Sequence, residues 1–143
     1  MTKNSLFRSI LMIEDNPMDI DLTKRAFKKR NLNNPLDIAT DGEAGLSYIA
    51  RWDAGEPLPV VILLDLKLPK VDGLEVLRQI KKHPVYRTIP VVVLTTSAED
   101  RDVKAAYELG ANSYIVKPVD FDKFMEVAAQ IELYWNVINK PVR

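Results

Sequence analysis

Four clusters of polar side chains in this chain have the types and spacing to do chemistry together: Glu14-Asp15, Asp65, Thr95-Thr96-Ser97 and Lys117-Pro118. Each follows directly on a short apolar run. If those runs are neighbouring strands, three carboxylates meet in one pocket. Carboxylates that close repel one another, and burial raises the cost, so such a pocket takes up a proton or a cation. Oxygen donors without His or Cys favour Mg²⁺ or Ca²⁺ over zinc or copper. Mg²⁺ suits a shallow site that leaves positions for water and phosphate oxygens. Lys117 and the hydroxyl of Thr95 or Thr96 then supply charge and donors for a phosphoryl group. A carboxylate nucleophile, a metal and a lysine form a workable set for phosphoryl transfer, with an aspartyl phosphate as product.

Each piece also has a plainer reading. Acids after strands often only cap the next helix, and Asp15 alone reads best that way; Ser97 reads as a cap too. A lysine such as Lys117 is usually solvated surface. Asp65 differs, because it ends the most apolar run of the chain, Val60 to Leu64, where an ionised group needs a reason. It is the convergence at one sheet edge that favours function over the separate plain readings.

The elements that must position these residues alternate in type. Short β-branched runs at Ser9–Ile13, Leu36–Ala39, Val60–Leu64, Val91–Leu94 and Ser113–Val116 read as strands. Three of them are apolar at nearly every position, as parallel strands covered on both faces are. Amphipathic segments near 17–31, 42–54, 73–83, 99–109 and 121–138 read as helices. Asn16-Pro17 marks a helix start, Asp72-Gly73-Leu74-Glu75 and Ser97-Ala98-Glu99-Asp100 resemble capping boxes, and Gly110 is a helix stop. The expectation is an α/β, flavodoxin-like (βα)5 fold: a doubly wound parallel sheet in the order 2-1-3-4-5, with ligands at the carboxyl ends of the strands.

The 143 residues fit one domain, 1–143, with a core from about 9 to 133 and a C-terminal helix extension. Apolar residues make up 47%, enough for a core. Twenty basic and 20 acidic residues cancel, so nothing suggests a chain that coats nucleic acid or anionic membrane. Cysteine is absent, which excludes disulfides and thiolate metal sites. No apolar run approaches the roughly 20 residues that span a bilayer, and residues 1–9 lack a signal-peptide core. The chain reads as a soluble cytoplasmic protein without nucleic-acid or membrane partners. His83, the one histidine, lies near a helix end and reads as a surface residue that can build neither histidine catalysis nor a zinc site.

In order and spacing, the segments 10–16 (ILMIEDN), 63–73 (LLDLKLPKVDG), 90–97 (PVVVLTTS) and 110–118 (GANSYIVKP) resemble the receiver domains of two-component signalling. The resemblance runs from about Ser9 to Leu133. It implies that Asp65 is the phosphoacceptor. Mg²⁺ would be held by Asp15, Asp65 and the backbone carbonyl of Lys67, with Glu14 acting mostly through water. Thr95 would be the switch hydroxyl, Lys117 the ion-pair partner of the phosphoryl group and Tyr114 the aromatic that turns inward. The family typically has a cis Lys117-Pro118 bond. Glu14 replaces the more usual Asp, and Lys67, two residues after the phosphoacceptor, is a cation that bears on autodephosphorylation. The tail Ile131-Glu132-Leu133-Tyr134-Trp135 and the loop at 51–59 look most like the small response regulators of bacterial phytochromes.

The resemblance further implies a phosphorylation-driven switch rather than an enzyme, catalysing only its own phosphotransfer and autodephosphorylation. The phosphoryl donor would be a sensor histidine kinase, and the narrower resemblance implies one of the phytochrome type. The signal would leave by protein contact through helix 4, strand 5 and helix 5, with no DNA-binding output. Phe124, Val127, Ala128, Ile131, Tyr134, Trp135 and Ile138 form a helical stripe. It reads as core up to Ile131, and beyond that equally as core or as a homodimer face. Three rivals fit less well. A phosphohydrolase of the aspartate-nucleophile class wants a second Asp where Lys67 stands. An FMN carrier wants a hydroxyl- and glycine-rich loop where the acids of 14–17 stand. A scaffold that works without phosphorylation leaves the acidic, hydroxyl and lysine set unexplained.

Overall fold

The computed structural model describes residues 8–117 and 120–138, with side chains described as far as Leu133. Strands β1 (Ile10–Ile13), β2 (Leu36–Ala39), β3 (Val61–Leu64), β4 (Val91–Thr95) and β5 (Ser113–Val116) alternate with helices α1 (Pro17–Lys29), α2 (Gly42–Asp53), α3 (Gly73–Lys81), α4 (Asp100–Glu108) and α5 (Phe121–Ile138). All strand pairs are parallel, in the order β2-β1-β3-β4-β5, as expected. The central strands β1, β3 and β4 are buried at every position.

Because strand side chains alternate between faces, the sheet carries two cores. Leu11, Ile13, Ile62, Leu64, Val91 and Val93 pack with Val76, Leu77 and Ile80 of α3 on one face. Ile10, Met12, Leu63, Val92 and Leu94 pack on the other with Phe27 of α1 and with Phe124, Val127, Ala128 and Ile131 of α5. The stripe on the last helix is therefore core as far as Ile131; Tyr134, Trp135 and Ile138 lie outside the described side chains.

Three local expectations need correction. The segment 97–100 is not a capping box: α4 begins at Asp100 after Glu99, which makes no side-chain cap bond. The Glu99 carboxylate is instead drawn to Arg101, 2.7 Å away, and Ser97 Oγ donates to Asp102 two residues into the helix. At Asp72 only half the box forms: its carboxylate accepts the Glu75 N–H at 3.0 Å, while the Glu75 carboxylate accepts from Arg78 and Gln79. His83 is more than a surface residue, since its ring stacks on Tyr86 at 3.9 Å and Nδ1 accepts the N–H groups of Val85 and Tyr86.

Candidate functional site

The site is built by the last residues of β1, β3, β4 and β5. The sheet ladder extends one step past β1 and β3, with Glu14 N–H donating to Ala39 O at 2.9 Å and Asp65 N–H to Ile13 O at 3.0 Å. Registry of β1 with β3 pairs Ile13 with Leu64, so Glu14 and Asp65 are side by side. Lys117 joins them because its N–H donates to Thr95 O at 2.7 Å. The loop after β3 folds tightly back: Gly73 N–H donates to Leu66 O at 2.9 Å, and a Cβ at Gly73 would collide with the Asp65 carbonyl. Asn16 caps α1 by accepting the Met18 N–H at 2.9 Å. That leaves Asp15 exposed at the site and sets aside its reading as a helix cap.

Glu14, Asp15 and Asp65 each bring a carboxylate oxygen within 4.8 Å of the others, and Glu14 and Asp65 are buried. Lys117 is no solvated lysine. Its side chain is 7% exposed, and Nζ lies 2.7 Å from Asp19 Oδ2, 2.8 Å from Glu14 Oε1 and 3.2 Å from Asp65 Oδ2. Burial, reinforced by the charge of Asp65, pushes the Glu14 carboxyl up to about 7 despite its hydrogen bond to Lys117. Burial works against the Lys117 ammonium too, but the bonds to Asp19 and Glu14 and the charges of Glu14 and Asp65 raise it above the ordinary lysine value. The carboxylates outnumber the ammonium, and all are hard oxygen donors. The pocket therefore fits a hard divalent cation.

The other expected residues surround this centre. Lys67 is exposed, and its N–H donates to Asp65 Oδ1 at 3.0 Å. Thr95 is fully buried at the end of β4, where its hydroxyl accepts the Ser97 N–H at 3.4 Å, whereas Thr96 is exposed. Of the two, Thr95 is thus the buried one, and its carbonyl is the one that pairs with the Lys117 N–H. Tyr114 is partly buried, and its hydroxyl donates to Ser97 O at 2.8 Å, tying β5 to the loop before α4. Pro118 lies outside the described residues, and with it the cis bond expected there. Asp19 is the contact the sequence did not reveal. An acid in the first turn of a helix is ordinary, and only the fold shows it turned toward Lys117.

Comparison with known proteins places this geometry. The response regulator receiver domain matches residues 10–129. The probable methanogenesis regulatory protein FilR2 of Methanothrix harundinacea is 44% identical over 127 residues, 88% of this chain and 82% of that protein. The response regulator Rcp1 of Synechocystis is 41% identical over 128 residues, 88% of this chain and 87% of that protein. The solved structure of Rcp1 in its Mn²⁺-bound form superposes with a TM-score of 0.79 at 38% identity, covering 94% and 99% of the two chains. The phosphorylated cyanobacterial phytochrome response regulator RcpA superposes with a TM-score of 0.79 at 35% identity, covering 92% and 95%. With its acids, hydroxyl and lysine gathered at one sheet edge and this sequence match along most of its length, the chain belongs to the response regulator receiver domains of two-component signalling.

Proposed function

We propose that Asp65 is the phosphoacceptor and that the signal is carried by its phosphorylation. The observation that carries this reading is the buried Asp65 carboxylate beside Glu14 and Asp15, within reach of Lys117. In the transfer, a carboxylate oxygen of Asp65 forms a bond to phosphorus as the P–N bond of a kinase phosphohistidine breaks. The electron pair leaves with the imidazole nitrogen, which then takes up a proton. Asp15, Asp65 and the Lys67 carbonyl would hold Mg²⁺, with Glu14 adding its charge to the acidic set. Bound there, it would supply charge neutralisation for the transferring phosphoryl oxygens. Lys117 donates to one of those oxygens, and Thr95 exchanges its bond with the Ser97 amide for another. As Thr95 moves, Tyr114 turns inward and α4 repacks on β5. Support comes from two relatives: RcpA is described as phosphorylated and Rcp1 as binding Mn²⁺.

On this reading the chain is one domain over 1–143 that works in the cytoplasm beneath a histidine kinase, of the phytochrome type by its likeness to Rcp1 and RcpA. It turns over no external substrate. The α4–β5–α5 face presents Tyr107 and Val116, 49% and 42% exposed, and passes the signal by protein contact, a homodimer included, rather than through DNA. Among the described residues no helix is long and apolar enough to cross a membrane. Acetyl phosphate with Mg²⁺, followed by intact mass, tests the reading. One phosphoryl group should add to the parent and none to Asp65→Asn; an unlabelled parent would refute it.

A further inference from the structure

Lys117 has three partners, and the proposed chemistry removes two of them. An ammonium has three N–H donors, and Nζ has a carboxylate oxygen within reach for each: Asp19 at 2.7 Å, Glu14 at 2.8 Å and Asp65 at 3.2 Å. With the Lys117 side chain only 7% exposed, water has little room to replace a lost partner. Phosphorylation removes the charge of Asp65 and commits one of its oxygens to phosphorus. A cation in the acidic cluster draws on Glu14. Asp19 stands outside both events: it lies on α1 and is not among the clustered acids Glu14, Asp15 and Asp65.

A first-turn acid could serve only to cap α1, but that place is taken. The Asn16 N–H, which a reciprocal cap would bind, donates to Glu14 Oε2 at 3.1 Å. Nor is Asp19 a solvated surface acid, since its side chain is 13% exposed. A carboxylate drawn that far from water needs a cation, and Lys117 is the one it meets. Its backbone is also fixed, because the fully buried Thr23 donates its hydroxyl to Asp19 O at 2.7 Å. A carboxylate on a rigid helix turn, aimed at a lysine with two exchangeable partners, is built as an anchor.

We propose that Asp19 is a positioning residue of the phosphoryl-transfer site, holding the Lys117 ammonium in place while its bonds to Glu14 and Asp65 give way to bonds with the phosphoryl group. The inference rests on the reading of Asp65 as phosphoacceptor. Without Asp19, Lys117 leans on the acids that the metal and the phosphoryl group need.

The test is the rate of labelling by acetyl phosphate at saturating Mg²⁺, read by intact mass together with a melting curve. Asp19→Ala should be labelled about tenfold more slowly, as a displacement of Lys117 by well under 1 Å would give, while melting close to the parent. Asp19→Asn, which keeps an oxygen acceptor at the same reach, should recover at least half the parental rate. A merely structural role would not separate the two variants in this way. If Asp19→Ala does not fold, Asp19→Ser replaces it, because its hydroxyl is too short to reach Nζ. Parental labelling in the truncated variant, or Asp19→Asn as slow as Asp19→Ala, overturns the anchor alone, provided Asp65→Asn stays unlabelled. An unlabelled parent, or a labelled Asp65→Asn, overturns the phosphoacceptor reading and the anchor with it.

Discussion

Two lysines, Lys117 with a buried side chain and Lys81 half-buried, sit at opposite ends of the same sheet and are treated in opposite ways. At the carboxyl edge, Lys117 meets the carboxylates of Glu14, Asp19 and Asp65, and its pKa rises. At the amino edge, Lys81 closes α3 onto the segment before β4, donating to Arg87 O at 2.9 Å and Ile89 O at 2.7 Å. Burial pushes its ammonium down to about 8. Arg8 follows the pattern of Lys81, donating to Leu58 O and Pro59 O ahead of β3. Cations at the amino edge thus meet neutral carbonyls and tie loops together. At the carboxyl edge anionic charge is in excess, which no structural tie requires. The contrast in partners, more than the burial of a lysine, separates a reactive edge from a structural one.

The comparison can be broken at four points. The largest effect is expected at Asp65→Asn, which should abolish labelling by acetyl phosphate while the protein stays folded; retained labelling would move the phosphoacceptor elsewhere. Next comes Lys117→Met, which leaves buried carboxylates without their ammonium and should cost about 3 kcal/mol in chemical denaturation without metal. Millimolar Mg²⁺ should restore much of that, because an ion that binds only the folded pocket stabilises it. A loss indifferent to Mg²⁺ would count against a cation site there. Lys81→Met should be milder, about 1 kcal/mol, since two carbonyls lose a donor while a buried charge is removed, and Mg²⁺ should not alter it. The fourth point is pH dependence. The folded pKa of Lys81, about 8, lies below its ordinary 10.5, so the unfolded chain holds that proton more tightly. The contribution of Lys81 to stability is therefore complete above 10.5 and is lost as pH falls through 8. Denaturation curves of parent and Lys81→Met should diverge across that window and run parallel below it. Parallel curves throughout would mean that burial does not depress this lysine.

Much of this arrangement could be read from residue order. Runs such as Val60–Leu64 and Val91–Leu94 are apolar because both faces of the sheet are covered, and the polar residues that end them fall at one edge by the geometry of a parallel sheet. Glu14, Asp15, Asp65 and Lys117 came together for that reason. Asp19 stayed hidden because helical periodicity says which face a residue shares, not which distant strand end faces it. The start of α4 lies within a residue of the expected one, but the box at 97–100 does not form, because Glu99 pairs with Arg101 and Ser97 with Asp102. His83 read as surface because its stacking partner Tyr86 belongs to a single 3₁₀ turn (Tyr86–Thr88) that leaves no periodic signal.

The central claim, that the excess negative charge at the carboxyl edge serves an acyl phosphate on Asp65, can be tested by trapping the bond itself. Borohydride reduces an aspartyl phosphate to homoserine with release of phosphate, and peptide mapping then reports the position. After treatment with acetyl phosphate and Mg²⁺, homoserine should appear at position 65 and depend on the added ion. Homoserine at another acid, or none in a protein that has gained a phosphoryl group, would contradict the account.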